Sequence, residues 1–351
     1  MSEIRVLDAS GKLVGPSSRA LGRTEIEEAM RLMLLSRTFD DRVIRLQRMG
    51  QAGVYSPVHG QEAAVVGSAM ALDPGRDWLV PASREQPAMV RHGLPVDRLL
   101  AGYMGRLNHA RIPDGVRMLP RQSSIATQIP HAVGLAWALK LRHERAVAMV
   151  YFGEGASSEG DFHEAANLAG VMRVPLVLML LNNHWAISTP AGKQSAATNL
   201  AVRAEGYGLA GVSVDGNDLF AVNWVARQAV ARALAGHGST LIEARTYRIG
   251  FHNTSDNPGE YRDESEVQEA VRRDPIERVR TYATARGFWS AEMEESVLRE
   301  VTEQVEAAYM LVAELPRPGP GDVFEHVYAD LPPRLLAQRR QSLESAGADE
   351  H

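Results

Sequence analysis

Between residues 146 and 244 short runs of apolar residues alternate with stretches of helical spacing, and this rhythm constrains the fold more than any other feature of the chain. Residues 146–152 (AVAMVYF) and 176–181 (LVLMLL) have no polar face. A strand that is apolar on both sides must be covered on both sides, which is the pattern of a parallel sheet enclosed by helices. Stretches 126–141, 161–172 and 219–235 read as the covering helices, and 211–214 and 240–244 as further strands. The expected fold class is therefore α/β, with a mainly parallel sheet covered by helices on both faces.

The flanks are less regular. The first 20 residues read as an extended arm. Thr24, with Glu27 three positions later, predicts a capping box for a helix running to about Arg48, whose apolar face holds Ile26, Met30, Met33, Leu34, Val43 and Leu46. Gly50 and Gly53 end it; a small-residue helix over 61–70 and a short strand over 78–80 follow. Residues 105–122 have no clean period and read as a long ordered loop, and the segment 248–262 is polar and rich in turn formers. Helices resume near Glu264, over 275–286 and over 292–312, before a Pro-rich link at 316–320 and a last ten residues expected to fray. This divides the chain into an arm and helix over 1–50, an α/β domain over 51–260, and a C-terminal helical extension with tail over 261–351.

Composition narrows the chemistry. The 351 residues include no cysteine, which removes disulfides, thiolate metal sites and cysteine nucleophiles. With 38 basic and 43 acidic side chains the net charge is -5, so no nucleic-acid partner is expected. The apolar runs are far shorter than the roughly 20 residues that cross a bilayer, and the start lacks a signal-peptide pattern, so no membrane association and a cytoplasmic location are expected.

The segment Gly153-Glu154-Gly155-Ala156-Ser157-Ser158-Glu159-Gly160-Asp161 lies directly after an apolar run and before a helix. Such a turn directs backbone N–H groups and the positive end of a helix at a bound anion. A second run ends in Asn182-Asn183, with Asn183 standing 29 residues after Glu154. A carboxylate and an amide oxygen at two strand ends suit octahedral magnesium held mainly through ligand phosphates. The bland alternative is a tight turn and an unrelated cap, and the pairing argues against it.

At these residues the chain resembles thiamine-diphosphate-dependent enzymes, whose magnesium motif opens with Gly-Asp-Gly and closes with Asn-Asn roughly 30 residues later; Glu154 replaces the aspartate. It is more closely similar to the alpha subunit of the E1 component of 2-oxoacid dehydrogenase complexes, over nearly the whole chain: GQEAA at Gly60, ATQIPHAVG at Ala126, NNHWAISTP at Asn182, VDGND at Val214, TYRIGFHNTSDNPGEYR at Thr246, and the closing DVFEHVYADLP. The resemblance implies a thiamine-diphosphate-binding fold with Mg2+ and the following roles. Glu154, Asn183 and the main-chain carbonyl of Trp185 would be the metal ligands. Arg84 and Arg248 would bind the diphosphate, alongside Gly155 and Ala156 of the turn. Ser123 would touch the pyrimidine, Ile125 would bend the cofactor, and His252 would face the reacting centre and assist acyl transfer to lipoamide. Ser83 and Leu181 depart from the tyrosine and arginine of many relatives, and Asn253 stands where animal relatives carry a regulatory phosphoserine.

The resemblance further implies that the chain is half of an active unit, working with an E1 beta subunit in an α2β2 heterotetramer and with the E2 lipoyl acyltransferase. Gly-Glu-Gly and TYRIG favour branched-chain 2-oxoacids such as 3-methyl-2-oxobutanoate, whereas VLDASGKLV, GVYSPVHGQEA and IPDGVRMLP resemble bacterial pyruvate dehydrogenase alpha subunits. The branched-chain activity is the expectation, pyruvate dehydrogenase the alternative, and acetoin dehydrogenase a more distant one. A nicotinamide-nucleotide fold is disfavoured, since the turn lacks Gly-x-Gly-x-x-Gly.

Overall fold

In a computed structural model, which describes residues 2–325 and 327–348, the apolar runs become a five-stranded sheet whose strands all run parallel. The strands are β1 (Trp78–Val80), β2 (Ala148–Gly153), β3 (Leu176–Asn182), β6 (Ala210–Asp215) and β7 (Thr240–Arg245), in the spatial order β1-β2-β3-β7-β6. A two-stranded ribbon, β4 (Trp185–Ala186) with β5 (Thr189–Pro190), stands apart from it. The helices are α1 (Arg23–Arg48), α2 (Glu62–Ala69), α3 (Gln86–Arg91), α4 (Val96–Tyr103), α5 (Gln128–Leu141), α6 (Gly160–Met172), α7 (Ala191–Gln194), α8 (Arg203–Gly206), α9 (Leu219–Leu234), α10 (Glu264–Val271), α11 (Pro275–Ala285), α12 (Ala291–Ala313) and α13 (Pro333–Ala348). None of them is long and apolar enough to cross a membrane.

The period of two in each strand explains why the runs carry no polar face. Val150, Phe152, Leu178 and Leu180 enter a core with α5 and α6, including Ile129, Val133 and Phe162. Their neighbours Met149, Tyr151, Val177 and Met179 enter a second core on the opposite face, with α1, α2 and α9. Both sheet edges are covered. The arm lies along β6, with Ile4 N donating to Ser213 O at 2.9 Å, while the segment 117–119 brackets Leu79 of β1 with two bonds of 3.0 Å. Asp218 secures the arm. Its Oδ2 accepts from Val6 N and Leu7 N, and its Oδ1 caps α9.

Two local expectations are corrected. The cap of α1 is not the Thr24–Glu27 box: Gly22 is the N-cap, its N–H donates to Glu25, and Glu27 pairs with Arg23 instead. Residues 342–348 of the tail expected to fray are helical, as α13 continues to Ala348; residues 349–351, and His326 within DVFEHVYADLP, lie outside the described residues.

Gly60 determines how the chain enters α2. It has φ +93°, and a Cβ there would stand 2.4 Å from Tyr247 O and 2.8 Å from Ile249 Cγ1. Gly60→Ala is expected to destabilise the fold by about 1–3 kcal/mol from overpacking alone, more with the backbone strain, read as a lowered midpoint in urea. An unchanged midpoint would contradict the close approach.

Candidate functional site

Parallel pairing of β2 and β3 sets Gly153 opposite Leu181, so Glu154 and Asn183 leave the sheet side by side at its carboxyl end. Glu154 is buried, and its Oε2 accepts from Asn183 N at 3.3 Å. Its Oε1 has no partner. Burial raises the carboxyl's pKa above its ordinary value, and the nearby Arg248 and Arg84 oppose that shift. The Asn183 amide nitrogen donates to Gln61 Oε1 at 3.1 Å, which leaves Oδ1 as the amide's acceptor, within 3.2 Å of Trp185 N. Among the described residues no three His, Asp or Glu side chains gather as a metal cluster. A cation at Glu154 and Asn183 would take its remaining oxygens from main chain and ligand, as magnesium commonly does.

Close enough to act on the carboxylate electrostatically are two buried guanidinium groups brought in from distant segments. Arg84 follows β1 and donates from Nη1 to Pro57 O at 2.8 Å and from Nη2 to His252 O at 2.5 Å. Arg248 follows β7; it is fully buried, donates to Ile187 O at 2.7 Å, and leaves Nε without a partner. Burial, and next the proximity of Arg248, lower the Arg84 pKa to about 10. Like charges held together away from water are costly unless an anion joins them, so this corner is preorganised for a polyanion.

His252 lies at the edge of the same corner. Its Nδ1 stands 2.9 Å from Arg84 Nη2. An arginine can only donate, so Nδ1 accepts and the proton of the neutral ring sits on Nε2. Burial first, then Arg84 and Arg248, push the imidazole pKa down to about 4. Asp256 steadies this loop, accepting from His252 N and from Tyr261 Oη, both at 2.6 Å.

A cavity of about 490 Å³ joins these groups. Of the residues singled out from sequence, Arg84, Ser123, Ile125, Glu154, Gly155, Ala156, Asn183, Trp185 and His252 line it. Arg248 does not; it sits behind the wall with its guanidinium on the Ile187 carbonyl. Ser83 and Leu181, the two departures, are both in the wall. Ile125 is 62% exposed, an apolar side chain at the rim with surface left to bury. Ala126 (φ 68°), His184 (φ 71°) and Ile187 (φ 55°) adopt left-handed backbone around the same cavity, strain of the kind that concentrates at functional sites.

Sequence reasoning passed over several wall and support residues. Gln61 holds Asn183 and has an unpartnered Nε2. Glu85, raised to about 7 by burial, accepts from the Ala82 and Arg84 amides. Gln61 lies in the quoted GQEAA stretch and Glu85 directly follows Arg84, so adjacency was the available signal.

A family model described as Dehydrogenase E1 component matches residues 30–321. The chain is 40% identical to the 3-methyl-2-oxobutanoate dehydrogenase subunit alpha of Mycobacterium tuberculosis over 339 residues, spanning 94% of this chain and 92% of the relative. It is 36% identical to the pyruvate dehydrogenase E1 component subunit alpha of Bacillus cereus over 337 residues, spanning 95% and 91%. The same figures hold for the pyruvate dehydrogenase E1 component subunit alpha of Staphylococcus aureus.

Proposed function

Because the chain belongs to the dehydrogenase E1 component family, we propose that it is the alpha subunit of a branched-chain 2-oxoacid dehydrogenase, acting on 3-methyl-2-oxobutanoate and passing the acyl group to lipoamide. In this reading it binds thiamine diphosphate with Mg2+, assembles with an E1 beta subunit as α2β2, and delivers the acyl group to an E2 lipoyl acyltransferase. The observation that carries the cofactor assignment is buried Arg84 in the cavity wall, with buried Arg248 behind it, near an unpartnered oxygen of Glu154 at the carboxyl ends of β2 and β3. Two fixed cationic side chains suit a diphosphate, and the spare carboxylate oxygen would suit a divalent cation bound with it.

What the cofactor supplies when bound is an electron sink for the pair released on decarboxylation, which a 2-oxoacid lacks. The chain's own residues bind, orient and exclude water. Glu154, Asn183 and the Trp185 carbonyl would hold the cation, while Arg84 and Arg248 neutralise the phosphates. Gly155 and Ala156 line the cavity beside Glu154, and Ser123 and Ile125, which also line it, would contact the organic part of the cofactor. His252, neutral at pH 7 and with its proton on Nε2, is a hydrogen-bond donor for the acyl-transfer step.

Substrate choice rests on the higher identity to the mycobacterial subunit, supported by the Gly-Glu-Gly turn. The pyruvate reading is favoured by the 36% identity to two bacterial pyruvate dehydrogenase subunits. The two acids differ by two carbons, and each methylene in an apolar pocket contributes only about 1–3 kcal/mol, so pyruvate should react as the poorer substrate. With the chain co-expressed with its beta subunit, kcat/KM for 3-methyl-2-oxobutanoate is expected to exceed that for pyruvate by roughly 10-fold or more. The reverse order would move the protein to the pyruvate complex and leave the cofactor site as described.

A further inference from the structure

A second cavity, of about 480 Å³, opens between α4 and the segment that follows it, and shares no lining residue with the cofactor cavity. Its wall is aliphatic, with Leu94, Leu99, Ile112 and Met118 among its residues. Its polar side chains are Arg98, Arg111 and Arg121, and no carboxylate lines it. Elsewhere some arginines of this protein are matched by carboxylates, as Arg31 is by Glu300 and Arg280 by Glu294, and others by main-chain carbonyls, as Arg106 is by Leu315 and Arg262 by Arg248. Among the described residues, none of these three has a carboxylate within 4.0 Å: Arg98 donates to the Arg111 carbonyl at 2.8 Å, and Arg121 stacks over the Tyr103 ring at 4.1 Å. The neighbouring Asp97 is committed to His109.

Guanidinium groups without a carboxylate partner beside aliphatic surface specify a ligand with both characters. The fork of an arginine matches a carboxylate, and the apolar wall gains by covering a hydrocarbon tail. A bare phosphate would leave that wall wet, and a neutral hydrocarbon would leave the arginines unmatched. We propose that this cavity is a small-molecule site for an aliphatic carboxylate, its head held by Arg98 and Arg111 and its tail against Leu99 and Met118. The site adjoins the reaction centre through the chain itself. Arg121 leads directly into Gln122, Ser123, Ser124 and Ile125 of the cofactor cavity and then into left-handed Ala126.

The test is direct binding to the full chain assembled with its beta subunit, by titration calorimetry with hexanoate and, separately, hexanamide. Hexanoate is expected to saturate one site per alpha chain, with hexanamide at least about tenfold weaker. Arg98→Gln and Arg111→Gln should each weaken hexanoate about tenfold or more while leaving thiamine diphosphate affinity, measured in the same assembly, unchanged. Equal binding of the acid and the amide, unweakened variants, or no saturable binding would each overturn the proposal. The acid-to-amide comparison on the unaltered protein decides the matter even if a variant folds poorly. Loss of thiamine diphosphate binding in the unaltered assembly would instead count against the proposed function.

Discussion

Glu154→Gln is expected to abolish magnesium-dependent binding of thiamine diphosphate by the assembled enzyme while leaving the fold in place. The substitution keeps the side-chain shape and an acceptor for Asn183 N, but removes a buried negative charge close to Arg84 and Arg248 at the ends of β2 and β3. Removing one member of a desolvated charge cluster costs about 2–5 kcal/mol, or roughly 30-fold to several thousand-fold in affinity. Calorimetric titration with cofactor and Mg2+ reads the loss, and the thermal midpoint without cofactor checks the fold. Because burial already raises this carboxyl's pKa, the neutral amide is well tolerated by the empty protein, so cofactor affinity should fall much more than stability. Unchanged affinity would remove Glu154 from the metal site.

His252→Ala is expected to separate binding from acyl transfer. The cation and diphosphate ligands stay in place, so cofactor affinity should change little, while lipoamide-dependent turnover should fall by about 10²–10⁴-fold, the usual contribution of a positioned proton donor. Unaltered turnover would exclude the role. The histidine's titration has a defined sign. Its folded pKa is about 4 against an ordinary 6.5, because burial and then the charges of Arg84 and Arg248 disfavour the imidazolium. As pH falls from 6.5 to 4 the unfolded chain takes up this proton and the folded one does not, so the contribution to stability declines across that window and is constant above it. In the cofactor-free protein an NMR titration of this ring should therefore show a midpoint near 4; one near 6.5 would mean that the two guanidinium charges do not reach it.

Legibility of the site followed distance along the chain. Glu154 and Asn183 could be paired in advance because one helix and one strand separate them, and a βαβ unit necessarily returns its second strand beside the first. The partners of that pair could not. Arg84 meets His252 across 168 positions, and Arg248 reaches the corner only because β7 inserts between β3 and β6 rather than at the sheet edge. Individually these are a surface-type charge and a loop imidazole, and only the resemblance to a family assigned them roles. Gln61 and Glu85 show the remaining gap, since nothing in residue type marks them and their place depends on what folds against them.

The sequence by itself determined the strands, their burial on both faces, the helices of the α/β region and the two strand-end motifs. These follow from side-chain periodicity and from turn chemistry, which act over a few residues. Only the tertiary structure decided the strand order, the burial of two arginines against one carboxylate, the depression of the His252 pKa and the arginine-lined aliphatic cavity. Desolvation and Coulomb interactions between residues far apart in sequence depend on the distances and burial that the folded chain creates, and no local pattern encodes them.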